Sequence, residues 1–480
     1  MPAKDNTTVQ DLKNSVVTCQ SSQGAEIRAT LLRLTRFTAT FEIYNPALVL
    51  RASEVLTDFK IIINDRAIYS GRAVVRTLVN TGQIAVCEAT LEEGSWMDLD
   101  FTPAMAKNGM LGDKFREFLN EWQKLYKIRE DYKVIVADMQ TFFTDLRLWL
   151  EQVELGIRSS PAGDRLQLEQ DVAESLSQSV IPCMNELFEK FESIAQTLDE
   201  ETLPAHRNYM RRQLHPLVLC SPFAYRTFAK PLGYAGDYEM VNMIIRNTQE
   251  GGSLFAKVIN TWFLRQPPAQ AHRNRIEYLI QKLQQETRRA AGPGRPARIL
   301  SVACGPSQEV QFYMTRDPLC DQTHFTLLDF NEETLQYLRN TLGETRAKYQ
   351  RRTPLEYIKK SVHHILKESG RTVQGDAANK YDFVYCAGLF DYLSNQVCQR
   401  LTNAMYDWVA PGGLLVTTNV EPSNPLRNGM EHLLDWNLIY RSGEQMFQLK
   451  PQRAPEGVSR VQADETGVNV FMEARKPANA

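Results

Sequence analysis

The chain has 480 residues, of which 43% are hydrophobic and 23% are charged, and its 55 Lys and Arg residues nearly balance 57 Asp and Glu residues. Such a length corresponds to about three domains, and the composition is ordinary for a globular protein, which excludes a wholly disordered, collagen-like or membrane-embedded chain. The net charge of -2 gives no electrostatic signature of a dedicated nucleic-acid-binding protein.

Cysteines, histidines and hydropathy limit the class further. The eight cysteines are scattered without a CxxC pair, which indicates free thiols in a reducing compartment rather than a disulfide framework. The seven histidines include no HExxH motif, so we predict no metal site. The first residues lack a signal-peptide pattern, and no apolar run reaches the roughly 18 residues that a transmembrane helix needs. We therefore expect a cytoplasmic protein without a transmembrane segment.

Between Gly24 and Leu99, short runs of β-branched and aromatic residues are separated by turn residues. The runs cover residues 28–35, 38–44, 59–63 and 72–79. Several short strands at close spacing predict a small antiparallel β-barrel. We assign the barrel to residues 24–105 and treat residues 1–23 as a flexible lead.

A helical period of three and four residues begins at Leu111. It predicts one helix over 111–157, about 70 Å long at 1.5 Å per residue, and a second helix over 164–198 that bends at Pro182. The two would form a long antiparallel hairpin over 106–200. Because a hairpin is too thin to bury a core alone, we expect it to pack on a neighbouring part of the chain or to form a homodimer; a plain spacer is the alternative.

The remaining chain has an α/β pattern. Residues 201–296 predict shorter helices around a loop at 230–237, and they end in a linker rich in Gly and Pro at 291–296. Over 297–480, strands alternate with helices, which predicts a Rossmann-like, doubly wound sheet with residues 201–296 as its helical cover. The sheet is predicted to have parallel strands at 298–303, 325–329, 355–359, 381–387 and 414–419, and a closing antiparallel pair at 445–449 and 468–474. The whole chain would thus be multidomain, with α+β and α/β parts.

Two neighbouring strands carry the strongest chemical signal. The first runs into a turn that contains Gly305 and then into a helix, so a ligand can approach the backbone beside a helix N-terminus. Asp329 ends the next strand, where an open α/β sheet holds the ribose of a nucleoside; capping of the helix that follows is its alternative role. Neither GxGxxG nor GxxxxGK[ST] is present. The pattern therefore favours an adenosine cofactor without phosphates, S-adenosylmethionine.

Four segments, at 299–306, 328–329, 381–391 and 408–416, occur in the order and at the spacing typical of class I S-adenosylmethionine-dependent methyltransferases, which this chain resembles over 298–476. The resemblance implies a methyltransferase with cofactor contacts from Ala303, Cys304, Gly305, Asp329, Phe330, Ala387 and Leu389.

Two positions depart from that family. Ser301 and Ser307 stand where its first motif often has an acid and a further glycine. The departure keeps open a catalytically silent regulatory or scaffold protein that retains a methyltransferase-like domain. Loss of cofactor binding in Asp329→Ala would separate the two hypotheses.

A narrower resemblance concerns the acceptor. Residues 230–240, 391–394 and 430–441 are similar to extracellular factor 3-hydroxypalmitic acid methyl ester biosynthesis proteins. This resemblance implies O-methylation of the carboxylate of a hydroxylated fatty acid. Another small-molecule hydroxyl or amine, or a protein, is the alternative acceptor. A protein or a nucleic acid is disfavoured as acceptor by the neutral charge and by the absence of an [ND]PP[YF] motif after the fourth strand, where the chain has AGLF at 387–390.

Candidate catalytic residues come from two segments. Tyr234 and Asp237 belong to a glycine-containing loop with the composition of a lid, although a simple turn in which Asp237 caps the next helix is the alternative. His432, Trp436 and Tyr440 would share one face of a predicted helix. Asp435 and Arg441 belong to the same predicted helix, and an ordinary amphipathic helix is the alternative. Candidate substrate contacts are Phe390, Tyr392, Tyr440 and Arg441.

The class of acceptor decides what chemistry the site requires. A carboxylate nucleophile needs only a cation or hydrogen-bond donors to align it, whereas a hydroxyl or amine needs a general base. Arg207, Arg211 and Arg212 could bind an acyl carboxylate, but a solvated helix face is the interpretation that we favour.

The predicted barrel, between Ile27 and Leu91, resembles a degenerate PilZ domain. Such domains bind cyclic di-GMP through RxxxR followed by [DN]xSxxG. Arg72 and Arg76 match the first motif, but the second is absent, and alternate strand residues share one face. We therefore interpret both arginines as a solvated strand face and expect no binding of cyclic di-GMP.

Overall fold

The computed structural model describes residues 15–44, 49–63, 66–80, 84–96, 111–113, 115–116, 119–120, 127–161, 163–369 and 380–478. Within them lie a closed β-barrel, a helical hairpin, a layer of helices and a seven-stranded sheet. None of the described helices is long and apolar enough to cross a membrane.

The predicted antiparallel barrel is confirmed. Its strands are β1 (Ser15–Gln20), β2 (Glu26–Leu34), β3 (Thr38–Ile43), β4 (Val55–Ile63), β5 (Arg66–Asn80) and β6 (Ala85–Leu91). They close in the order β1-β2-β3-β6-β5-β4. The prediction of a flexible lead over residues 1–23 is wrong at β1, because alternation turns Val17 and Cys19 into the barrel core, where they are 0% and 5% exposed. Residues 1–14 lie outside the described residues.

The helical hairpin consists of α1 (Glu130–Arg158) and α2 (Arg165–Ala195). Residues 127–129 are not helical, so the prediction of a single helix over 111–157 is wrong. The 29 residues of α1 extend only about 44 Å at 1.5 Å per residue. Arg129 is extended, and its backbone N–H donates to His206 Nε2 at 3.1 Å, which starts the helix at the next residue. Pro182 lies inside α2.

A layer of five helices follows the hairpin. They are α3 (Leu203–Val218), α4 (Pro222–Ala229), α5 (Tyr238–Arg246), α6 (Leu254–Leu264) and α7 (Pro267–Ala290). The inward faces of the hairpin and of these helices form one apolar core, in which Phe143, Phe191 and Trp262 are at most 1% exposed. The hairpin is therefore packed on its own chain.

The C-terminal part is a mixed sheet covered by helices. Its strands are β7 (Ala297–Val302), β8 (Thr323–Asp329), β9 (Leu355–Lys359), β10 (Tyr381–Cys386), β11 (Val409–Val420), β12 (Ser459–Ala463) and β13 (Asn469–Arg475). The order is β12-β13-β11-β10-β7-β8-β9, in which β7 to β11 are parallel and β13 is antiparallel to its neighbours. The intervening helices are α8 (Gln308–Arg316), α9 (Glu332–Lys348), α10 (Val362–Ser369), α11 (Asn395–Trp408), α12 (Arg427–Leu433) and α13 (Gly443–Gln448).

One predicted strand of the closing pair is wrong. Residues 445–449 lie largely in α13, because Ser442 and Gln445 form a capping box that starts a helix there. The antiparallel partner of β13 is β12 instead.

The strand order creates a crevice between β7 and β10. From β7 the chain moves to β8 on one side, whereas β10 pairs with β7 on the other side. The loops that follow β7 and β10 therefore diverge at the carboxyl ends of the strands. In open α/β sheets, ligands bind at such a topological switch point.

The barrel contacts this edge of the sheet through residues 49–55. The backbone N–H of Ala52 donates to Tyr392 O at 3.1 Å, and that of Val55 donates to Gly233 O at 2.8 Å. The backbone N–H of Asn437 donates to Ser53 Oγ at 2.6 Å. A segment of the barrel is thus part of the wall around the switch point.

Candidate cofactor and acceptor site

One long cleft starts at the carboxyl ends of β7, β8 and β10 and continues between the sheet and the helical layer. Its first part is lined by the loops after these three strands and carries most of the polar groups. Its second part is lined by the helices. We call the two parts the cofactor half and the apolar chamber.

The turn after β7 is bent by unusual backbone angles. Ala303, Gly305 and Ser307 have φ values of 53°, 52° and 44°, in the left-handed region that favours glycine. The backbone N–H of Cys304 donates to Leu328 O at 3.0 Å, which ties the turn to β8. A Cβ added to Gly305 would meet no described atom within 4 Å. The cleft therefore reaches the backbone at this position.

Asp329 lies beside that turn and is 5% exposed. Its Oδ2 accepts from the backbone N–H of Gly305 at 3.1 Å, and its Oδ1 accepts from that of Asn331 at 2.9 Å. Burial raises the pKa of Asp329, although these backbone donors oppose the shift. The alternative role of Asp329 as a helix cap is wrong, because Asn331 caps α9 by accepting from Thr334 N at 3.1 Å.

Two aromatic rings and one arginine line the cofactor half next to Asp329. The ring centroids of Tyr234 and Phe330 are 5.2 Å apart. The guanidinium of Arg51, which is 4% exposed, lies 4.1 Å from the centroid of the Phe330 ring. Arg51 comes from the barrel and was not among the predicted site residues. It adjoins residues 45–48, which lie outside the described residues, and no motif marks it in the sequence.

The other side of the cofactor half contains buried polar pairs. Glu309 in α8 accepts from the Tyr385 hydroxyl at 2.7 Å, and burial raises its pKa. Gln308 Nε2 donates to Asn242 Oδ1 at 2.7 Å, which links the start of α8 to α5. These bonds fix the orientation of the helix N-terminus that faces the cleft.

The apolar chamber extends from the cofactor half into the helical layer. It is lined by side chains of the hairpin, the helical layer and the segment around α12, namely Phe188, Phe223, Val241, Ile244, Trp262, Phe263, Ala269, Ile276, Leu426, Met430, Leu434, Trp436 and Leu438. Such a surface binds an apolar group of an acceptor by removing it from water.

Helix α7 borders both halves. Residues at helical spacing along it line the cleft, and two of them, His272 and Arg275, are polar. The sequence prediction missed both. The signal was available, because each lies on the same face of α7 as Ala269, Ile276 and Leu279, where burial is expected.

Ten of the predicted site residues line this cleft. They are Tyr234, Ala303, Cys304, Gly305, Asp329, Phe330, Ala387, Leu389, Tyr392 and Trp436. Trp436 Nε1 donates to the Tyr392 hydroxyl at 3.0 Å, so these two side chains are coupled. The residues outside the lining are Asp237, Phe390, His432, Tyr440 and Arg441.

Asp237 has a structural role. Its Oδ1 accepts from the backbone N–H of Met240 at 2.9 Å, which caps α5, and it forms an ion pair with Arg226 at 2.9 Å. The loop before it is packed rather than free, because a Cβ at Gly236 would lie 2.5 Å from the Tyr392 hydroxyl. The alternative interpretation, a turn that ends in a helix cap, describes Asp237.

The helix predicted to present His432, Asp435, Trp436 and Tyr440 is shorter than expected. It ends at Leu433, and Asp435 has a φ of 52°. These side chains therefore do not share one helical face. His432 is fully buried, its Nδ1 lies 2.8 Å from the Tyr132 hydroxyl, and burial lowers its pKa.

Arg441 and Phe390 also differ from their predicted substrate role. Phe390 is fully buried in the core of the sheet domain. Arg441 is 2% exposed and donates to Phe390 O, Leu393 O, Asn395 Oδ1 and Asn419 Oδ1 at 2.6–2.8 Å. Its guanidinium therefore holds the loop after β10 in place.

Two arginines of α3 are not a solvated face. Arg207 is 4% exposed and forms an ion pair with Glu431. Arg211 forms one with Asp435 at 2.9 Å. They anchor α12 and the segment after it, whereas Arg212 is exposed.

The strand arginines Arg72 and Arg76 likewise face the helical layer. Arg72 pairs with Glu92 at 2.6 Å and donates to Ala229 O at 3.2 Å. Arg76 pairs with Glu88 at 2.7 Å, and its side chain is 14% exposed. The predicted solvated strand face is wrong for Arg76 and only partly correct for Arg72, whose side chain is 32% exposed. The barrel packs this face against α3 and α4, where both arginines line a second cavity.

No known family model matches the chain, and no curated protein does. The chain is similar to a possible exported protein from Bordetella parapertussis, at 16% identity over 63% of this chain and 97% of that chain, with a TM-score of 0.39. It is similar to magnesium protoporphyrin IX methyltransferase from Synechocystis PCC 6803 with bound S-adenosylhomocysteine (10% identity; 49% and 93% covered; TM-score 0.32). It is also similar to an N-methyltransferase from Bradyrhizobium japonicum in complex with S-adenosylhomocysteine (16% identity; 50% and 98% covered; TM-score 0.29). These likenesses are distant, and the function proposed below depends on the residues of the cleft.

Proposed function

We propose that this protein is an S-adenosylmethionine-dependent methyltransferase that methylates a small molecule. The observation that carries the proposal is the buried carboxylate of Asp329 at the switch point of the sheet, hydrogen-bonded to the turn at Gly305 and continuous with an apolar chamber. An acid at the end of the second strand of such a sheet is placed to accept hydrogen bonds from ribose hydroxyls.

The residues around Asp329 fit this cofactor. Tyr234 and Phe330 offer flat apolar surfaces to a base. Gly305 leaves the backbone accessible, since a Cβ there would meet no described atom within 4 Å. The turn has Ala303 and Ser307 where a phosphate-binding loop would have further glycines. When bound, the cofactor supplies an electrophilic methyl group on a sulfonium centre.

The contribution of the chain to methyl transfer is alignment and exclusion of water. An in-line displacement requires the acceptor atom, the methyl carbon and the sulfur to be collinear, so restraint of both reactants lowers the barrier. The coupled side chains of Tyr392 and Trp436 stand where the two halves of the cleft meet. They are placed to shield this junction from solvent.

The acceptor class that we propose is the carboxylate of a fatty acid, including hydroxylated fatty acids. The apolar chamber supports it, because a long hydrocarbon chain needs an apolar surface of this kind. The resemblance that the sequence motifs at 230–240, 391–394 and 430–441 carry implies the same class. A carboxylate is ionised at neutral pH and requires no general base.

Methyl transfer can be tested with labelled cofactor and three probes. The full chain is incubated with trideuteromethyl-labelled S-adenosylmethionine and hexadecanoic acid, hexadecanol or hexadecylamine, and products are identified by mass spectrometry. We expect the labelled methyl ester of the acid alone, and none with Asp329→Ala. Transfer only to the alcohol or amine would contradict the acceptor class, and absence of transfer to all three would support a catalytically silent protein.

A further inference from the structure

Helix α7 carries a buried cation that has no partner. Arg275 is 7% exposed and lines the cleft. None of the hydrogen bonds and ion pairs among the described residues involves it, and its Nη1 is buried without an acceptor. A guanidinium has several N–H donors and is always charged, so burial without an acceptor is costly. An unpaired guanidinium that faces a cleft indicates a binding site for an anion.

Two buried acids attract Arg275 but do not pair with it. These are Glu309 and Asp391, whose charges favour the cation. Glu309 already accepts from the Tyr385 hydroxyl at 2.7 Å, and Asp391 Oδ1 accepts from the backbone N–H of Val420 at 2.6 Å. The acids are thus bound by other donors, and the N–H groups of the guanidinium remain for a ligand.

Arg275 stands where the cofactor half meets the apolar chamber. A Cβ added to Gly388 would lie 3.0 Å from Arg275 Nη1, so the guanidinium packs on the backbone directly after β10. In the opposite direction along α7, His272 and Ala269 line the cleft toward Trp262 in the chamber. Burial lowers the pKa of His272 to about 3, so it adds no competing charge. An anion bound at Arg275 would therefore have its apolar substituent directed along α7 into the chamber.

We infer that Arg275 binds and positions the carboxylate of the acceptor, with the hydrocarbon chain in the apolar chamber. The inference rests on the proposed function. One carboxylate oxygen forms the ester bond to the methyl carbon, and the electron pair of the broken methyl–sulfur bond stays on sulfur. No proton moves, and a sulfonium plus a carboxylate become a thioether plus a neutral ester. The neutral ester loses its ionic attraction to Arg275, which favours release of the product.

The test uses the full chain and dodecanoate as the probe. Binding of dodecanoate without cofactor is followed by the fluorescence of Trp262 and Trp436, which line the cleft. Methyl transfer to dodecanoate and titration with S-adenosylhomocysteine complete the measurements. The variants are Arg275→Met and Arg275→Lys. The control is Arg288→Met, which removes a charge from the exposed C-terminal turn of the same helix.

We expect Arg275→Met to bind S-adenosylhomocysteine within about threefold of the wild type. Its KM for dodecanoate should rise between about ten- and a hundredfold, the range for a lost hydrogen bond to a charged group. Arg275→Lys should restore part of the loss, Arg288→Met should change nothing, and dodecanol should bind wild type and Arg275→Met alike.

Four results would overturn the inference. Equal binding of dodecanoate to wild type and Arg275→Met would show that the cation does not hold the carboxylate. Failure of the wild type to bind dodecanoate would reject it while leaving cofactor binding intact. Loss of S-adenosylhomocysteine binding in Arg275→Met, with an unchanged near-UV circular dichroism spectrum, would assign Arg275 to the carboxylate of the cofactor instead. Absence of S-adenosylhomocysteine binding in the wild type would refute the proposed function, and the inference that rests on it would fall too.

Discussion

The barrel supplies the side chain of Arg51 to the cofactor half of the cleft. Replacing Arg51 tests whether the barrel and the sheet domain form one binding site. In Arg51→Ala, the Phe330 ring loses the guanidinium 4.1 Å from its centroid. Asp329 loses a nearby positive charge that lowers its pKa. Both changes act on side chains that wall the proposed cofactor site.

The size of the expected loss of cofactor affinity follows from the burial of Arg51. A cation–π contact contributes roughly 0.5–1 kcal/mol at an exposed site and about 2 kcal/mol when desolvated. Because Arg51 is only 4% exposed, the upper value applies. The contact is present without the cofactor, so its loss weakens cofactor binding by about thirtyfold at most, through the position of the Phe330 ring. The pKa of Asp329, already raised by burial, should rise further without Arg51. Since a protonated carboxyl accepts hydrogen bonds less well than a carboxylate, the loss of affinity should grow as the pH is lowered.

Isothermal titration with S-adenosylhomocysteine at neutral and mildly acidic pH measures both effects. The matched control is Arg28→Ala, which removes an exposed arginine from β2 of the same barrel. Arg28→Ala should bind like the wild type at each pH. The reasoning is refuted if Arg51→Ala binds as tightly as Arg28→Ala, because Arg51 would then be only a packing contact between the barrel and the sheet domain.

Three other variants have clear expected outcomes. Arg441→Met should lower the stability of the sheet domain by about 3–5 kcal/mol, because it leaves three buried acceptors without their donor; a urea midpoint equal to that of the wild type would contradict this role. Ala269→Phe should shift acceptor preference toward shorter acids, because a ring would fill the apolar chamber beside α7. Mass spectrometry of the products from a mixture of acids of different length measures this preference. An unchanged product distribution would show that the hydrocarbon chain of the acceptor does not pass Ala269. Asp237→Asn should reduce stability by about 1.5–3 kcal/mol, because the buried side chain loses its charge-assisted bond to Arg226, at unchanged KM for the acceptor. A changed KM without destabilisation would restore its predicted role at the site.

The central strands could be predicted because they are continuous apolar runs. The predicted strand at 381–387 extends β10 by one residue, and that at 298–303 differs from β7 by one residue at each end. Buried parallel strands show this pattern because both of their faces are covered. The same signal led to Gly305 and Asp329, since the ends of such strands mark the edge where ligands bind.

The predictions of secondary structure were wrong where a few hydrogen bonds or ion pairs outweigh the hydrophobic pattern of the sequence. The capping box of Ser442 and Gln445 makes a helix of a segment that reads as a strand. Residues after Leu433 leave the helix because Asp435 adopts a left-handed conformation, held by Arg211. The capping box joins residues only three apart, whereas the conformation at Asp435 depends on Arg211 from a distant part of the chain; hydrophobic periodicity encodes neither.

The missed site residues have a different cause. Arg51 reaches the cofactor half from a barrel whose strands carry no catalytic motif, so only the docking of the barrel on the sheet reveals it. Arg275 lies in a helix that reads as ordinary and amphipathic. A charged residue on its buried face was the available signal.

The measurement that tests the proposed function most directly is the affinity of the full chain for S-adenosylhomocysteine, compared with Asp329→Ala. Glu344→Ala, which changes an exposed acid on α9, is the control. We predict that the wild type and Glu344→Ala bind equally, and that Asp329→Ala binds between about ten- and a hundredfold more weakly, as expected when a charged acceptor is lost. Equal binding by Asp329→Ala, or no binding by the wild type, would contradict a cofactor site at the switch point of this sheet.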